Sequence, residues 1–176
     1  MNLIIDIGNT RIKAAVFEKD TLLEVLIFDD KKLIEKVDLL INKYGINTGI
    51  ISSEKRISKK ELSLLNEKKC FLVLDSATKV PFKNLYSTPK TLGVDRISLI
   101  ANAVEKFPNK NVLIIDAGTC ITYDFVNDKK EYLGGAISLG IEMRYKALHK
   151  FTSKLPLLEK YIPKNFIGKT TDENIH

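Results

Sequence analysis

The sequence predicts an α/β protein built from a duplicated half, and a repeated turn motif is the main reason. Residues 3–10 read LIIDIGNT, and residues 113–119 read LIIDAGT. Each copy is an apolar run of strand length, followed by an aspartate, a glycine that permits a tight turn, and a threonine. A second strand-like run follows each turn, at residues 11–17 and 120–126. Two matched strand-turn-strand units in one chain indicate a duplicated half-fold.

The elements that follow the first turn support the same class. Residues 21–28 are rich in leucine, valine and isoleucine and predict a third antiparallel strand. Residues 31–44 place apolar side chains at helical spacing, and Gly45 stands where a C-terminal cap belongs. After a short strand at 48–52, the capping-box pattern at residues 58–61 predicts a second helix. Strands that alternate with helices after a meander indicate an α/β layer with its parallel strands covered on both faces.

A long irregular stretch at residues 75–93 follows a short predicted strand at 71–74, and long loops in compact domains are often functional. It leads to the sequence GVDR at residues 93–96, which opens an apolar-periodic helix. One interpretation makes Asp95 the N-cap of this helix. The other makes Asp95 a base for a substrate hydroxyl and Arg96 a clamp for a carboxylate, because guanidinium and carboxylate pair in two-point contact. Both interpretations can hold together.

The second half of the chain offers fewer elements. A strand is predicted at residues 131–137, interrupted by Gly134 and Gly135, and paired glycines there suggest a close backbone or ligand approach. One helix is predicted from residue 141 to about residue 150, and no closing element is predicted in residues 151–176. Three strands with one helix leave a face of this half without cover. We expect exposed apolar surface there, as found at an interface or in an incomplete domain.

The chemistry of the two turns suits a polyphosphate. Successive backbone N–H groups in a glycine-containing turn form a small anion site, and a threonine hydroxyl adds a donor. An aspartate beside the turn can hold a metal ion or its waters. The alternative is an ordinary hairpin turn, which a single isolated copy would leave open, but two matched copies count against it. Neither GxxxxGK[ST] nor GxGxxG occurs in the sequence.

Composition excludes several classes of protein. The formal charge of +6 comes from 28 Lys+Arg against 22 Asp+Glu without a basic block, so no nucleic-acid motif is predicted. A solvated lysine-rich surface explains this charge most simply, and an anionic small-molecule substrate explains it as well. Cys70 and Cys120 are too few and too far apart for a zinc site or a disulfide framework. With no signal peptide or transmembrane segment in the sequence, we expect a cytoplasmic protein without a membrane partner.

Four ordered motifs resemble those of type III pantothenate kinase, a family of the actin-like kinase superfamily. They lie at residues 6–13, 93–96, 116–119 and 134–137. The resemblance implies the actin-like (ribonuclease H-like) duplicated two-lobe α/β fold, here with lobes at residues 1–108 and 109–176 and the second one incomplete. It also implies ATP-dependent phosphorylation of pantothenate, the first step of coenzyme A biosynthesis. The family works as a homodimer, with its site at the interface.

The resemblance further implies a role for individual residues. Asp95 is the proton acceptor, Asp116 holds a monovalent cation, potassium or ammonium, and Asp6 holds Mg²⁺ through water. The residues implied to bind ATP are Asp6, Gly8, Asn9, Thr10, Arg11, Lys13, Gly118 and Thr119. The residues implied to contact pantothenate are Tyr86, Gly93, Val94, Asp95, Arg96 and Thr171.

Two features depart from the family pattern. Leu139 stands where the family has a proline, and the sequence stops at His176, where the family continues into a segment that helps to hold adenosine. We therefore expect weak ATP binding and a dependence on a partner subunit. Two alternatives stay open at this point: a catalytically inactive actin-like nucleotide-binding module with a regulatory role, and a kinase for another small hydroxy acid with a different pocket around Tyr86.

Overall fold

The first β-sheet carries the first copy of the repeat. The computed structural model describes all residues except Glu54, Arg56 and Lys69, and it leaves out the side chains of residues 60, 66, 68 and 70. The strands are β1 (Asn2–Ile7), β2 (Ile12–Glu18), β3 (Thr21–Phe28), β4 (Thr48–Ser53) and β5 (Cys70–Val73). Their spatial order is β3-β2-β1-β4-β5, with an antiparallel meander from β1 to β3 and parallel pairing of β1 with β4 and of β4 with β5.

Two helices cover one face of this sheet. The expectation that its parallel strands are covered on both faces is wrong, because Ile4, Ile50 and Leu72 on the other face are 40%, 39% and 50% exposed. Helix α1 (Leu33–Tyr44) ends at Gly45, which adopts the left-handed conformation with φ 61°, as the sequence predicted. Helix α2 (Lys59–Lys68) opens with the predicted capping box, because the Ser58 N–H donates to Glu61 Oε2 at 2.9 Å and the Glu61 N–H donates to Ser58 Oγ at 3.2 Å.

The first hydrophobic core forms where α1 and α2 meet alternate residues of the strands. Side chains at every second position of β1 and β2 point to the same face, so the period-two pattern of the sequence becomes one buried layer. These residues are Leu3, Ile5, Ile7, Ile12, Ala14 and Val16, and all are at most 5% exposed. The side chains of α1 that pack on them are Leu33, Val37, Leu40 and Ile41.

The second sheet repeats the meander of the first. Its strands are β6 (Lys83–Asn84), β7 (Val112–Ala117), β8 (Cys120–Val126) and β9 (Glu131–Leu139), in the order β6-β9-β8-β7. Strands β7 to β9 are antiparallel, like β1 to β3, while β6 runs parallel to β9. The predicted α/β fold with a duplicated half is therefore confirmed. Among the described residues, this sheet has no counterpart of β4 and β5, as predicted for an incomplete second lobe.

One face of the second sheet packs on helix α3 (Val94–Lys106), and the other is open. Ile100 and Val104 of α3 lie in a second core with Tyr132 of β9. On the opposite face of β7, Leu113 and Ile115 are 57% and 58% exposed. The sequence predicted a face without cover in this half, and the structure shows it.

The end of the chain and the cysteines complete the description. Helix α4 (Ile141–Phe151) follows β9 and confirms the helix predicted from residue 141 to about residue 150. In residues 151–176, where the sequence predicted no closing element, the structure shows the short helix α5 (Thr171–Ile175). Cys120 is a free cysteine, whereas the side chain of Cys70 lies outside the described part of the chain. In the part of the chain that the structure describes, no helix has the length and apolar character needed to cross a membrane.

Two further details differ from the sequence expectations. Helix α3 begins at Val94 with Gly93 as its N-cap, so Asp95 is the second residue of the helix and not its N-cap. Strand β9 runs through Gly134 and Gly135 without a break, although the pairing register shifts beside Gly134, whose φ is 126°. The domain boundary at residue 108 stays a prediction, and α3, which precedes it, packs in the second core.

Candidate active site

A cleft of about 550 Å³ brings the two repeated turns together with the start of α3. It contains thirteen of the fifteen residues to which the family resemblance gave a role: Asp6, Gly8, Asn9, Thr10, Arg11, Lys13, Tyr86, Gly93, Asp95, Arg96, Asp116, Gly118 and Thr119. Val94 and Thr171, the first residues of α3 and α5, do not line it. The cleft is also lined by four residues to which the resemblance gave no role: Thr91, Cys120, Thr122 and Ile137.

The two turns close in a similar way. The Gly8 N–H donates to the carbonyl of Arg11 at 3.2 Å, and the Gly118 N–H donates to the carbonyl of Cys120 at 2.8 Å. Each glycine therefore folds the backbone back onto the following strand, while Thr10 and Thr119 at the tips stay exposed. Exposed hydroxyls and turn N–H groups of this kind are donors that suit phosphate oxygens.

Three carboxylates surround the same space. Burial raises the pKa of Asp6, and repulsion from Asp95 and Asp116 raises it further, against the opposing effect of Lys13, whose Nζ lies 3.9 Å from the Asp6 carboxylate. The Asp6 carboxylate is thus repelled by both of the other carboxylates. A bound cation, or a ligand that carries one, would relieve this repulsion.

We expect Asp6→Asn to stabilise the free protein at neutral pH. Because the folded state raises the pKa of Asp6, the folded protein binds the proton more tightly than the unfolded chain, and stability falls as pH rises through that pKa. The variant removes this charge, but the Asp6 side chain is 43% exposed and water screens its interactions, so the melting temperature should rise by only about 1 °C at pH 7 without nucleotide or divalent ions. The control is Asp20→Asn in the exposed turn between β2 and β3, which should melt like the wild type. A lower melting temperature for Asp6→Asn would contradict the charge argument.

Asp95 reaches the cleft from the first turn of α3. Its Oδ1 accepts the N–H of Arg96 at 2.7 Å, which holds the carboxylate at the helix start. Oδ2 makes no hydrogen bond with any residue that the structure describes. The carboxylate is half-buried and lies near both repeated turns, so it can accept a proton from a ligand placed between them.

Arg96 belongs to a buried network that the sequence analysis missed in part. Its Nε and Nη2 donate to Asp124 Oδ1 at 3.0 and 2.7 Å, and Nη2 also donates to the Tyr132 hydroxyl at 2.8 Å. Tyr132 in turn donates to Asp124 Oδ1 at 2.7 Å. Burial alone would lower the pKa of the Arg96 guanidinium, but the hydrogen bonds and the charge of Asp124 raise it. Burial and the hydrogen bond with Asp124 raise the pKa of Tyr132 as well.

A weak signal for Asp124 is present in the sequence. Aspartate is depleted in strand interiors, yet Asp124 stands in the middle of a strand-like run. It also lies two positions from Val126, which the structure buries, so it shares the inward face of β8. A charged residue on a buried face needs a partner of opposite charge, but the sequence does not say which one.

Residues 2–176 of this chain match the family model of type III pantothenate kinase. The chain belongs to this family. A type III pantothenate kinase from Christiangramia forsetii is 49% identical over 176 residues, covering 99% of this chain and 72% of that protein. One from Bacteroides fragilis strain YCH46 is 43% identical, with the same coverage of 99% and 72%.

A solved structure shows the same fold. It is that of a Baf family protein from Campylobacter jejuni, with a TM-score of 0.59 and 22% sequence identity, and the match covers 97% of this chain and 70% of that one. At this identity the likeness concerns the fold alone. The chain is placed in its family by its sequence identity to the type III pantothenate kinases and by the match to the family model.

Proposed function

We propose that this protein phosphorylates pantothenate with ATP to give 4'-phosphopantothenate, the first step of coenzyme A biosynthesis. One observation carries the proposal: both repeated turns and Asp95 line a single cleft. This arrangement matches the needs of phosphoryl transfer, in which the protein mainly positions the reactants and offsets charge. Membership in the kinase family supports pantothenate as the acceptor.

The repeated turns are the proposed phosphate site. The first turn offers Gly8, Asn9 and Thr10, and the second offers Gly118 and Thr119. Arg11 and Lys13 add positive charge at the first turn only, and both line the cleft. If the two turns hold the phosphates of ATP, the γ-phosphate would lie within reach of an acceptor hydroxyl bound at Asp95.

Asp95 is the proposed proton acceptor. When the primary hydroxyl of pantothenate attacks the γ-phosphorus, its oxygen forms the new bond to phosphorus, its proton goes to the Asp95 carboxylate, and ADP leaves with the electron pair of the broken bond. The hydrogen bond from the Arg96 N–H to Oδ1 fixes the carboxylate so that Oδ2 can face the hydroxyl. Tyr86, Gly93 and Arg96 border the same part of the cleft and are the proposed contacts of the acceptor.

The residues of the cleft fit a magnesium ion bound mainly through phosphates. The described residues contain no group of three or more histidine, cysteine, aspartate or glutamate side chains that could hold a metal ion. Asp6 supplies a single carboxylate at the first turn, with a pKa that burial and neighbouring charge raise. Mg²⁺ keeps several waters and is often held by one or two carboxylates and substrate phosphates, which is the donor set available here. Such an ion offsets charge on the phosphates.

A monovalent cation, potassium or ammonium, fits beside Asp116. In the first hairpin Lys13 stands opposite Asp6, whereas in the second hairpin Thr122 stands opposite Asp116. The second aspartate therefore lacks the lysine that the first one has. Thr122 Oγ1 is buried and makes no hydrogen bond with the described residues. A hydroxyl oxygen and a carboxylate are hard oxygen donors, so they can hold the cation that would take the place of the lysine.

We expect activity to depend on potassium or ammonium and this dependence to be lost in Asp116→Ala. A carboxylate beside a phosphate site repels the phosphate unless a cation offsets its charge. Initial rates measured in potassium, ammonium and sodium chloride at one ionic strength test this. Asp128→Ala, an exposed change in the turn between β8 and β9, is the control and should keep the dependence. Equal wild-type rates in all three salts would refute the assignment.

The proposed partners are pantothenate, ATP and a second copy of this chain in a homodimer. The open apolar face with Leu113 and Ile115 supports an interface of some kind in the second half. Thr171 stays a proposed substrate contact, although it lies outside the cleft of one chain. A cytoplasmic location, without a nucleic-acid or membrane partner, is proposed from the composition.

A coupled assay of ATP turnover with and without pantothenate tests the function, with the product identified by mass. We expect ADP release that requires pantothenate and a product heavier than pantothenate by one phosphoryl group. ATP binding without turnover would favour the inactive nucleotide-binding module. Turnover with another hydroxy acid, but not with pantothenate, would favour a kinase of different specificity.

A further inference from the structure

We propose that Asp124, with the Tyr132 hydroxyl, is a positioning residue that orients Arg96 so that only its Nη1 edge meets the substrate carboxylate. Asp124 itself does not line the cleft, whereas Arg96 does. The inference rests on the proposed function, since it assigns the carboxylate end of pantothenate to Arg96. It adds a residue that acts through Arg96 and a contact geometry that differs from the two-point clamp expected from the sequence.

The hydrogen bonds of the guanidinium account for most of its donors. An arginine side chain carries five N–H donors, one on Nε and two on each terminal nitrogen. Nε donates to both oxygens of Asp124, at 3.0 and 3.2 Å, while Nη2 donates to Asp124 and to the Tyr132 hydroxyl. Nη1 makes no hydrogen bond of good geometry with the described residues, although the Tyr86 side chain lies close enough to the guanidinium to help raise its pKa. A ligand can therefore engage Nη1, but it cannot use Nη1 and Nη2 together, because Nη2 already donates to Asp124 and to the Tyr132 hydroxyl.

Burial keeps this arrangement fixed. Asp124 and Tyr132 are fully buried, and Arg96 is only 6% exposed. A buried carboxylate cannot turn to water when a ligand enters, so it holds the guanidinium against the substrate as well as in the free protein. Arg96 and Asp95 are neighbours in α3 and share the hydrogen bond from the Arg96 N–H. Fixing Arg96 therefore also fixes the helix start that carries the proposed base.

The surroundings show which side of Arg96 is open. The ring of Tyr86, which lines the cleft, has its centre 5.9 Å from the Arg96 guanidinium carbon. On the closed side lies Gly135, where an added Cβ would stand 2.9 Å from both Arg96 Nη2 and Asp124 Oδ1. Because residue 135 has no side chain, the backbone of β9 leaves space for the ion pair of Arg96 and Asp124. The side of the guanidinium that faces the cleft is bordered by Tyr86 and is open to a ligand.

A purely structural role is the competing explanation, because the ion pair also joins α3 to β8. The two explanations differ in what a variant changes. A structural role lowers the melting temperature and affects both substrates alike. A positioning role raises KM for pantothenate, leaves KM for ATP unchanged, and depends on the presence of Arg96.

The test combines Asp124→Asn and Tyr132→Phe with pantothenate binding by calorimetry, KM for both substrates, kcat and thermal melting. We expect Asp124→Asn to raise the pantothenate Kd and KM about tenfold and Tyr132→Phe about threefold, with KM for ATP within about twofold of the wild type. In Arg96→Ala, adding Asp124→Asn should cause no further rise in the pantothenate Kd, because residues that act as one unit are not additive. The control is Tyr145→Phe, a buried tyrosine of α4 outside the cleft, which should leave all constants unchanged.

Each outcome decides the matter. If wild-type protein does not bind pantothenate, the proposed function fails and this inference fails with it. If wild-type protein binds pantothenate but both variants bind it equally well, the inference alone is wrong. The inference is also overturned if KM for ATP rises in parallel with KM for pantothenate, or if the effects of Arg96→Ala and Asp124→Asn add. Should Asp124→Asn fail to fold, Tyr132→Phe decides the same question, since it removes a single hydroxyl and keeps the ring.

Discussion

Asp95→Asn is expected to lower kcat by about 10² to 10⁴, the usual contribution of a general base, while the fold stays intact. The amide keeps the shape of the side chain and its oxygen can still accept the Arg96 N–H, which now holds Oδ1 at 2.7 Å. It cannot accept the proton of the attacking hydroxyl. Steady-state kinetics at saturating ATP and pantothenate measure the effect, and circular dichroism and thermal melting check the fold.

A matched control for this variant is Glu142→Gln. Glu142 is the second residue of α4 after a glycine N-cap, as Asp95 is the second residue of α3 after a glycine N-cap. Both changes remove one acidic charge from the first turn of a helix, but Glu142 lies outside the cleft and pairs with Lys160. We expect Glu142→Gln to keep near-normal kcat. If Asp95→Asn also keeps it, Asp95 serves only the helix start.

The sequence predicted the strands and helices well because their signals are local. An apolar run followed by a glycine turn defines each hairpin without help from the rest of the chain. The left-handed cap at Gly45 and the capping box from Ser58 to Glu61 depend on neighbours within a few residues. The strand pairings of the two meanders then follow from chain order, since consecutive strands with tight turns pair antiparallel.

The cleft was predictable in its parts but not in its connections. The motifs indicated which residues belong to a phosphate and acceptor site, and thirteen of those fifteen residues share one cleft. The network behind them depends on contacts between residues far apart in the chain. Arg96 meets Asp124 and Tyr132 only after α3 packs on the second sheet, and the sequence spacing of 28 and 36 residues does not indicate this.

The prediction for Asp95 as an N-cap failed for a physical reason. Gly93 takes the N-cap position with an extended ψ of 140°, and the Asp95 side chain bonds to the next N–H instead of capping the helix. One carboxylate oxygen thus stays on the Arg96 N–H in the first turn of α3, while the side chain lines the cleft. The finding that Asp95 is not the N-cap of α3 therefore agrees with the other interpretation, in which Asp95 is a base for a substrate hydroxyl.

The glycine pair in β9 was visible in the sequence, but the reason for it lies in residues far away in the chain. The sequence indicated a close approach there, but not what approaches. At Gly135 an added Cβ would clash with the carbonyl oxygen of Tyr123 on the neighbouring strand. It would also press on the Arg96 and Asp124 side chains, so one methyl group would disturb both the sheet and the ion pair.

Gly135→Ala is therefore expected to destabilise the protein by about 3 kcal/mol, the upper part of the range for overpacking, because backbone on both strands must move. For a chain of this size the loss corresponds to a fall in melting temperature of about 6–12 °C. Thermal melting and chemical unfolding measure it, and pantothenate binding should weaken because the Arg96 guanidinium is displaced. Gly118→Ala is the matched control for stability, since the nearest atom to its added Cβ, the carbonyl oxygen of Cys120, is 3.9 Å away. If both variants melt like the wild type, strand β9 has room at Gly135, and the close packing of the ion pair against its backbone is not a constraint on this fold.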